Sequence, residues 1–189
     1  DALKLADGTI ALATSRGLVF ADKNFNVVRH YVEEQSDLYA LNDKSIRAIC
    51  KDREDNLWVG TVHEGVYIFY KNTAEINYFY PASKSQKVSQ RLRSIVEDPE
   101  GIIWMGSENG GLTRYDPSTG EIKKISLPIK TENILALKIE GAYLWVGSYS
   151  FTDPLIRLNR KTLSIEAFPD FSRCAYHIEK YAKDTLILS

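Results

Sequence analysis

All three tryptophans of this chain lie in one repeated five-residue phrase, and this repeat restricts the fold more than any other feature. The copies are Leu57–Thr61, Ile103–Ser107 and Leu144–Ser148, which read LWVGT, IWMGS and LWVGS. Successive copies are 46 and 41 residues apart. A repeat of about 40–50 residues built from short apolar strands is typical of a β-propeller, in which each repeat forms one blade. The sequence therefore predicts an all-β propeller.

Each complete repeat contains four strand-like runs, here called strands a to d. In the clearest repeat they cover 92–97, 102–107, 111–115 and 121–126. Turn sequences separate them, such as Asp98–Gly101 between a and b, because Pro and Gly favour tight turns. No window has a sustained helical period, so we expect almost no helix. The predicted blades are 1–32, 45–80, 91–126, 133–168 and an incomplete blade at 173–189.

The repeated tryptophans have a packing explanation. A small twisted sheet cannot bury its own face, so each blade must stack on the next, and a large flat ring fills the layer between them. The glycine two residues after each ring lets a neighbouring chain approach closely, because it has no side chain. The residues predicted to have this structural role are Trp58, Trp104, Trp145, Gly60, Gly106 and Gly147.

The 189 residues hold about four to five blades, and this number does not complete the usual ring. A propeller closes on itself because an open arc leaves blade faces and strand edges exposed. We therefore expect an arc of a larger propeller. The alternative is a small closed propeller in which Ala2–Ala6 completes the terminal blade.

Composition excludes some classes of partner. The chain has 24 basic and 25 acidic residues, which gives no electrostatic argument for binding nucleic acid or an anionic membrane. No signal sequence or membrane span is recognised within it. Cys50 and Cys174 are both predicted in strand a, three blades apart, and should be free thiols. His30 and His177 have no partners at metal-ligand spacing, so no metal site and no cofactor are predicted.

The full unit resembles the two-component regulator propeller repeat, and residues 92–121 follow it most closely. Repeats one and five lack the tryptophan, and Phe151–Pro154 is an insertion in repeat four. The resemblance implies the periplasmic sensor region of an inner-membrane hybrid two-component histidine kinase, built from seven-bladed propellers. It also implies an oligosaccharide ligand, contacts with neighbouring receptor domains and, as a further possibility, a homodimer.

The loops that join strand b to c, and strand d to the next strand a, surround one end of a propeller channel. Aromatic rings and planar polar groups of the kind that bind sugars occur there. The candidate ligand-binding residues in the b–c loops are His63, Glu64, Glu108, Asn109, Tyr149 and Asp153. The d–a loops are 35–42, 81–90 and 169–173. Loop residues are also polar by default, so each candidate has an ordinary explanation as well.

Arg47 and Arg93 occupy the same position of strand a in successive repeats. This position is predicted to lie near the channel, where a guanidinium would meet a carboxylate or sulfate. The alternative is a structural role, in which each arginine pairs with acids or carbonyls of the adjacent blade.

The sequence leaves three functions open. The first is a non-catalytic sensing module, and the second is a propeller enzyme of the lyase or hydrolase kind. Channel-lining strand a offers mainly basic side chains and no His/acid cluster outside His177–Glu179, so the segment is predicted to be non-catalytic. The third is a structural or dimerisation propeller that only packs against other protein domains.

Overall fold

The computed structural model describes residues 1–32, 41, 43–71, 76–79, 91–169, 174–182 and 185–189. Within these residues the chain is all-β and has eighteen strands in five antiparallel sheets. Four sheets have four strands in sequential order, and the fifth has two. No helix capable of crossing a membrane occurs in the described part of the chain. The predicted fold class, an all-β propeller in blades, is confirmed.

Each sheet is one blade, numbered in chain order. Blade 1 consists of β1 (Ala2–Lys4), β2 (Ile10–Thr14), β3 (Gly17–Ala21) and β4 (Val27–Tyr31). Blade 2 consists of β5 (Ile46–Lys51), β6 (Leu57–Thr61), β7 (Val66–Phe69) and β8 (Ile76–Tyr78). Blade 3 consists of β9 (Leu92–Glu97), β10 (Ile103–Ser107), β11 (Gly111–Asp116) and β12 (Glu121–Ile125). Blade 4 consists of β13 (Ile134–Glu140), β14 (Tyr143–Ser148), β15 (Leu155–Asn159) and β16 (Ile165–Phe168). Blade 5 consists of β17 (Ile178–Ala182) and β18 (Thr185–Leu188).

The first strand of each blade contacts the first strand of the next. These contacts join β5 with β9, β9 with β13, and β13 with β17. A hydrogen bond reinforces the second junction, where the Leu137 N–H donates to Ser94 Oγ at 3.1 Å. Strand a is therefore the inner strand, and its side chains set the chemistry of the axial opening.

The described blades form an open arc. β1 pairs with β2 of its own blade, with Ala2 opposite Leu12 and Lys4 opposite Ile10. The segment Ala2–Ala6 therefore does not complete the last blade, and the small closed propeller is wrong. Cys50 lies in β5, whereas Cys174 precedes β17 rather than lying in strand a as predicted. Both cysteines are free thiols.

Two of the tryptophans are buried between blades. Trp104 is fully buried and packs with Ile134 and Ile156 of blade 4. Trp58 packs in the same way against blade 3, with its ring centroid 5.9 Å from that of Tyr115. Trp145 is only half-buried, and its ring lies 5.2 Å from Phe168. The ring layer is therefore complete at two junctions and partly exposed at the third.

The glycines of the repeated phrase lie against the next blade. A Cβ on Gly106 would lie 2.6 Å from Ile134 Cγ2, and one on Gly60 would lie 2.8 Å from Leu92 Cβ. At Gly147 it would meet the Ala175 carbonyl oxygen at 2.5 Å. A side chain at these positions would push the second strand of each blade away from the next blade.

Candidate functional site

An irregularity recurs at the start of the inner strand in three successive blades. In blade 2, Ile46 pairs with Thr61 and Ala48 with Gly60, so Arg47 is an extra residue in the ladder. Arg93 is the extra residue in blade 3, and Leu135 is the extra residue in blade 4. A β-bulge bends its strand and redirects the side chain it carries. The equivalence of Arg47 and Arg93 predicted from sequence is thus an equivalence of bulge residues.

The first residue of each b–c loop returns beside the bulge. The N–H groups of Val62, Glu108 and Tyr149 donate to the carbonyl oxygens of Ser45, Arg91 and Asn133, respectively, at 2.9–3.0 Å. These three bonds extend the a–b hairpin beyond the bulge in blades 2, 3 and 4. Loop residues and bulge residues are therefore neighbours at the same end of the arc. We call this end the mouth, and its principal side chains are Arg47, Arg93, Glu108, Tyr149, Phe151 and Tyr176.

Arginine and glutamate form the charged part of the mouth. Arg93 Nη2 bonds to Glu108 Oε1, and Arg91 Nη1 lies 3.8 Å from Glu108 Oε2. Partial burial lowers the pKa of Arg93 and the nearby charge of Arg47 lowers it further, while Tyr176 acts in the opposite direction. Arg93 therefore lies within electrostatic range of both Arg47 and Tyr176.

Arg47 differs from Arg93 in its surroundings. Its side chain is exposed, and no ion-pair partner for it occurs among the described residues. The two arginines differ because the repeat position beside them differs: Val62 occupies in blade 2 the place that Glu108 occupies in blade 3. Arg93 is thus paired with an acid of its own blade, and the described part of blade 2 offers Arg47 no equivalent acid.

Three exposed aromatic side chains form the other part of the mouth. The ring of Tyr149 lies 6.0 Å from that of Phe151 and 6.4 Å from that of Tyr176, both edge to face. Their exposed fractions are 47%, 69% and 59% for Tyr149, Phe151 and Tyr176, so each presents a free face to solvent. Only Tyr149 was a candidate from sequence. Phe151 lies in the insertion after the third tryptophan phrase, and Tyr176 precedes the inner strand of blade 5.

Two of the predicted loop residues build the loop of blade 2. The His63 N–H donates to Asp43 Oδ2 at 2.7 Å, and the Glu64 N–H donates to Thr61 Oγ1 at 3.0 Å. Burial acts to raise the pKa of Asp43, but hydrogen bonds from Ser45 and His63 outweigh it and leave that pKa below its usual value. The Asp43 carboxylate therefore stays ionised and fixes the loop through His63.

The other two loop candidates also have hydrogen-bond partners. Asn109 has a φ of 56°, a left-handed conformation that Asn tolerates, and its N–H donates to Asn133 Oδ1 at 2.8 Å. The Asp153 N–H donates to Ser150 Oγ at 3.0 Å, and its carboxylate accepts from Thr152 Oγ1 at 2.8 Å. Direct contacts thus join Arg93 with Glu108, and Tyr149 with its aromatic neighbours. The N–H groups of Glu64 and Asp153 bond within their own loops, and those of His63 and Asn109 bond to residues that precede inner strands.

The predicted d–a loops lie mostly outside the described residues, which lack 33–40, 42, 80–90 and 170–173. In the part of the chain that is described, no group of three or more His, Cys, Asp or Glu side chains is arranged to hold a metal ion.

The family model for the two component regulator propeller matches residues 40–63 and 87–109. These segments cover the a–b hairpins of blades 2 and 3, and the resemblance seen in the sequence is confirmed there. Among curated proteins, none matches the chain in sequence.

Solved structures share the fold at low sequence identity. The extracellular domains of two hybrid two component systems from B. thetaiotaomicron superpose with TM-scores of 0.81 and 0.78, each at 17% identity. The matches cover 98% and 99% of this chain, but only 25% and 24% of those domains. The chain thus spans about a quarter of their length.

An enzyme shares the same fold. Virginiamycin B lyase from Staphylococcus aureus superposes with a TM-score of 0.73 at 16% identity, over 98% of this chain and 60% of the lyase. The architecture is therefore compatible with both receptors and enzymes, and the function must be argued from the mouth.

Proposed function

Because two of its blades carry the two component regulator propeller repeat, we propose that the chain is a non-catalytic, extracytoplasmic ligand-sensing module. In this proposal it forms part of a hybrid two-component receptor, and its ligand is an oligosaccharide. The receptor class is supported by the repeat and by the B. thetaiotaomicron extracellular domains that share the fold. The ligand class is supported by the mouth.

The exposed aromatic cluster carries the ligand proposal. Sugar rings have C–H faces that pack on aromatic rings, and hydroxyl groups that pair with planar charged groups at the edge. Tyr149, Phe151 and Tyr176 offer the rings, and the Arg93 guanidinium, which Glu108 holds in the free protein, offers a planar charged group at the same mouth. Three large rings left in water next to an ion pair favour a role in binding over a role in the core.

The placement of these groups also suggests how binding is sensed. Arg93 lies in blade 3, Tyr149 follows the second strand of blade 4, and Tyr176 precedes the inner strand of blade 5. A ligand that contacts all three touches three successive blades. It therefore favours the arrangement of the blades that it binds best, by an amount set by the difference in its affinity for the arrangements.

Calorimetric titration of the chain with a panel of oligosaccharides tests the proposal. We expect binding of at least one oligosaccharide, and about fivefold weaker binding after Tyr149→Ala, because one stacked ring contributes about 1 kcal/mol. Tyr181→Ala is the matched control, since Tyr181 is 75% exposed in β17 and lies away from the mouth. Absence of any binding would favour a purely structural propeller, turnover of a polysaccharide would favour an enzyme, and equal losses in both variants would remove the mouth as the site.

A further inference from the structure

We propose that the mouth selects an acidic saccharide, with its sugar rings on the aromatic cluster and its carboxylate or sulfate between Arg47 and Arg93. This inference rests on the proposed oligosaccharide ligand and narrows it to one chemical class. The residues at equivalent positions around the arc support it.

The two repeated positions of the mouth change character from blade to blade. The bulge residue is Arg47 in blade 2, Arg93 in blade 3 and Leu135 in blade 4. The first b–c loop residue is Val62, Glu108 and Tyr149 in the same order. The mouth is therefore cationic at blades 2 and 3 and aromatic at blades 4 and 5. A ligand that fills it needs an anionic end and an apolar face.

The bulges hold the two guanidinium groups in an arrangement that favours an anion. Each guanidinium belongs to the extra residue of its strand. The hydrogen-bonded backbone on either side of that residue fixes the position from which the side chain extends. The inner strands β5 and β9 contact each other, so the two bulge arginines lie at the same end of neighbouring blades, where their like charges repel. An anion placed between them relieves that repulsion. Guanidinium also binds carboxylate and sulfate oxygens through paired N–H donors, which a neutral hydroxyl matches poorly.

Glu108 acts as an internal competitor for the same cation. It bonds to Arg93 and lies near Arg91, so it occupies in the free protein a place that an incoming anion would take. Among the described residues Arg47 has no such acid, because Val62 stands at that place in its blade. Removal of Glu108 should therefore strengthen binding of an acidic ligand, which is the opposite of what a glutamate that binds sugar hydroxyls would show.

The test compares uronate-containing and sulfated oligosaccharides with their carboxyl-reduced and desulfated counterparts, by calorimetric titration of the chain. The two arms distinguish a carboxylate from a sulfate as the recognised anion. We expect at least one acidic oligosaccharide to bind about tenfold more tightly than its neutral counterpart, because a hydrogen bond between charged groups contributes at least that much to the affinity. Its affinity should fall with added salt, and that of the neutral counterpart should not.

Variants make the assignment specific. Arg47→Gln should weaken binding of the acidic oligosaccharide about tenfold and leave the neutral counterpart unchanged. Glu108→Gln should strengthen acidic binding severalfold, and Lys123→Gln, an exposed cation of the outer strand β12, should change neither. Thermal unfolding of each variant shows whether a loss of binding results from a loss of folded protein.

The outcomes separate the two proposals. Equal or tighter binding of the neutral counterparts would overturn acid selectivity and leave the oligosaccharide proposal in place. Weaker acidic binding after Glu108→Gln would also overturn it, because that result makes Glu108 a ligand contact. Absence of binding by every member, acidic or neutral, would overturn both.

Discussion

At the residue scale, Asp98 of blade 3 links its own blade to blade 4. Its carboxylate accepts the Trp104 indole N–H at 2.9 Å and lies 3.0 Å from Arg160 of blade 4. Both partners of the ion pair are buried, with side chains 2% and 6% exposed for Asp98 and Arg160. In blade 2, Asp52 makes the equivalent bond to Trp58 at 2.8 Å, and no arginine pairs with it among the described residues. The two aspartates therefore differ by one buried cation.

This difference gives a stability prediction. Asp98→Ala should destabilise the chain by about 2–4 kcal/mol, because it removes the same kind of hydrogen bonds that Asp52 makes and also one of the two carboxylates that pair with the buried Arg160 guanidinium, Glu100 being the other. Asp52→Ala should cost about 1–3 kcal/mol, because it removes hydrogen bonds only. Urea denaturation of both variants measures the gap. Equal losses would show that the Arg160 contact adds nothing to the junction.

At the element scale, the glycine of the tryptophan phrase sets how closely a second strand approaches the inner strand of the next blade. Gly106→Ala places a Cβ 2.6 Å from Ile134 Cγ2, so β10 and β13 must move apart. We expect a loss of about 1–3 kcal/mol in the free energy of unfolding, as in other overpacked cores. In the background of Ile134→Ala the same change should cost less, and a double-mutant cycle by urea denaturation measures this coupling. Additive effects of the two substitutions would contradict the close packing of these strands.

Sequence and structure agree best on elements that repeat. The tryptophan phrase marks strand b in three blades, and turn residues such as Asp98–Gly101 place the hairpins within a residue or two. The bulges were not predicted, because the arginine shared by Arg47 and Arg93 is replaced by Leu135 in the next blade and only the strand register reveals the extra residue. Phe151 and Tyr176 were missed because no repeat position corresponds to them, and only the packing of rings places them beside Tyr149.

At the scale of the whole molecule, one end of the blades holds the arc together and the other end presents the proposed binding groups. At the end opposite the mouth, the turn residues Arg53 and Arg160 reach across blade junctions to Glu97 and Asp98 and fix the arc. At the mouth, bulges and loops leave rings and charges exposed on a frame that those contacts hold in place. We therefore expect the ligand to bind at the mouth and nowhere else on the arc.

A crystal structure of the chain with an oligosaccharide that it binds tests this expectation most directly. We predict sugar rings on Tyr149 and Tyr176, and an acidic group of the ligand within hydrogen-bonding distance of Arg47 and Arg93. A sugar bound at the turns of the opposite end, or along the outer strands, with no contact to the mouth, would contradict it.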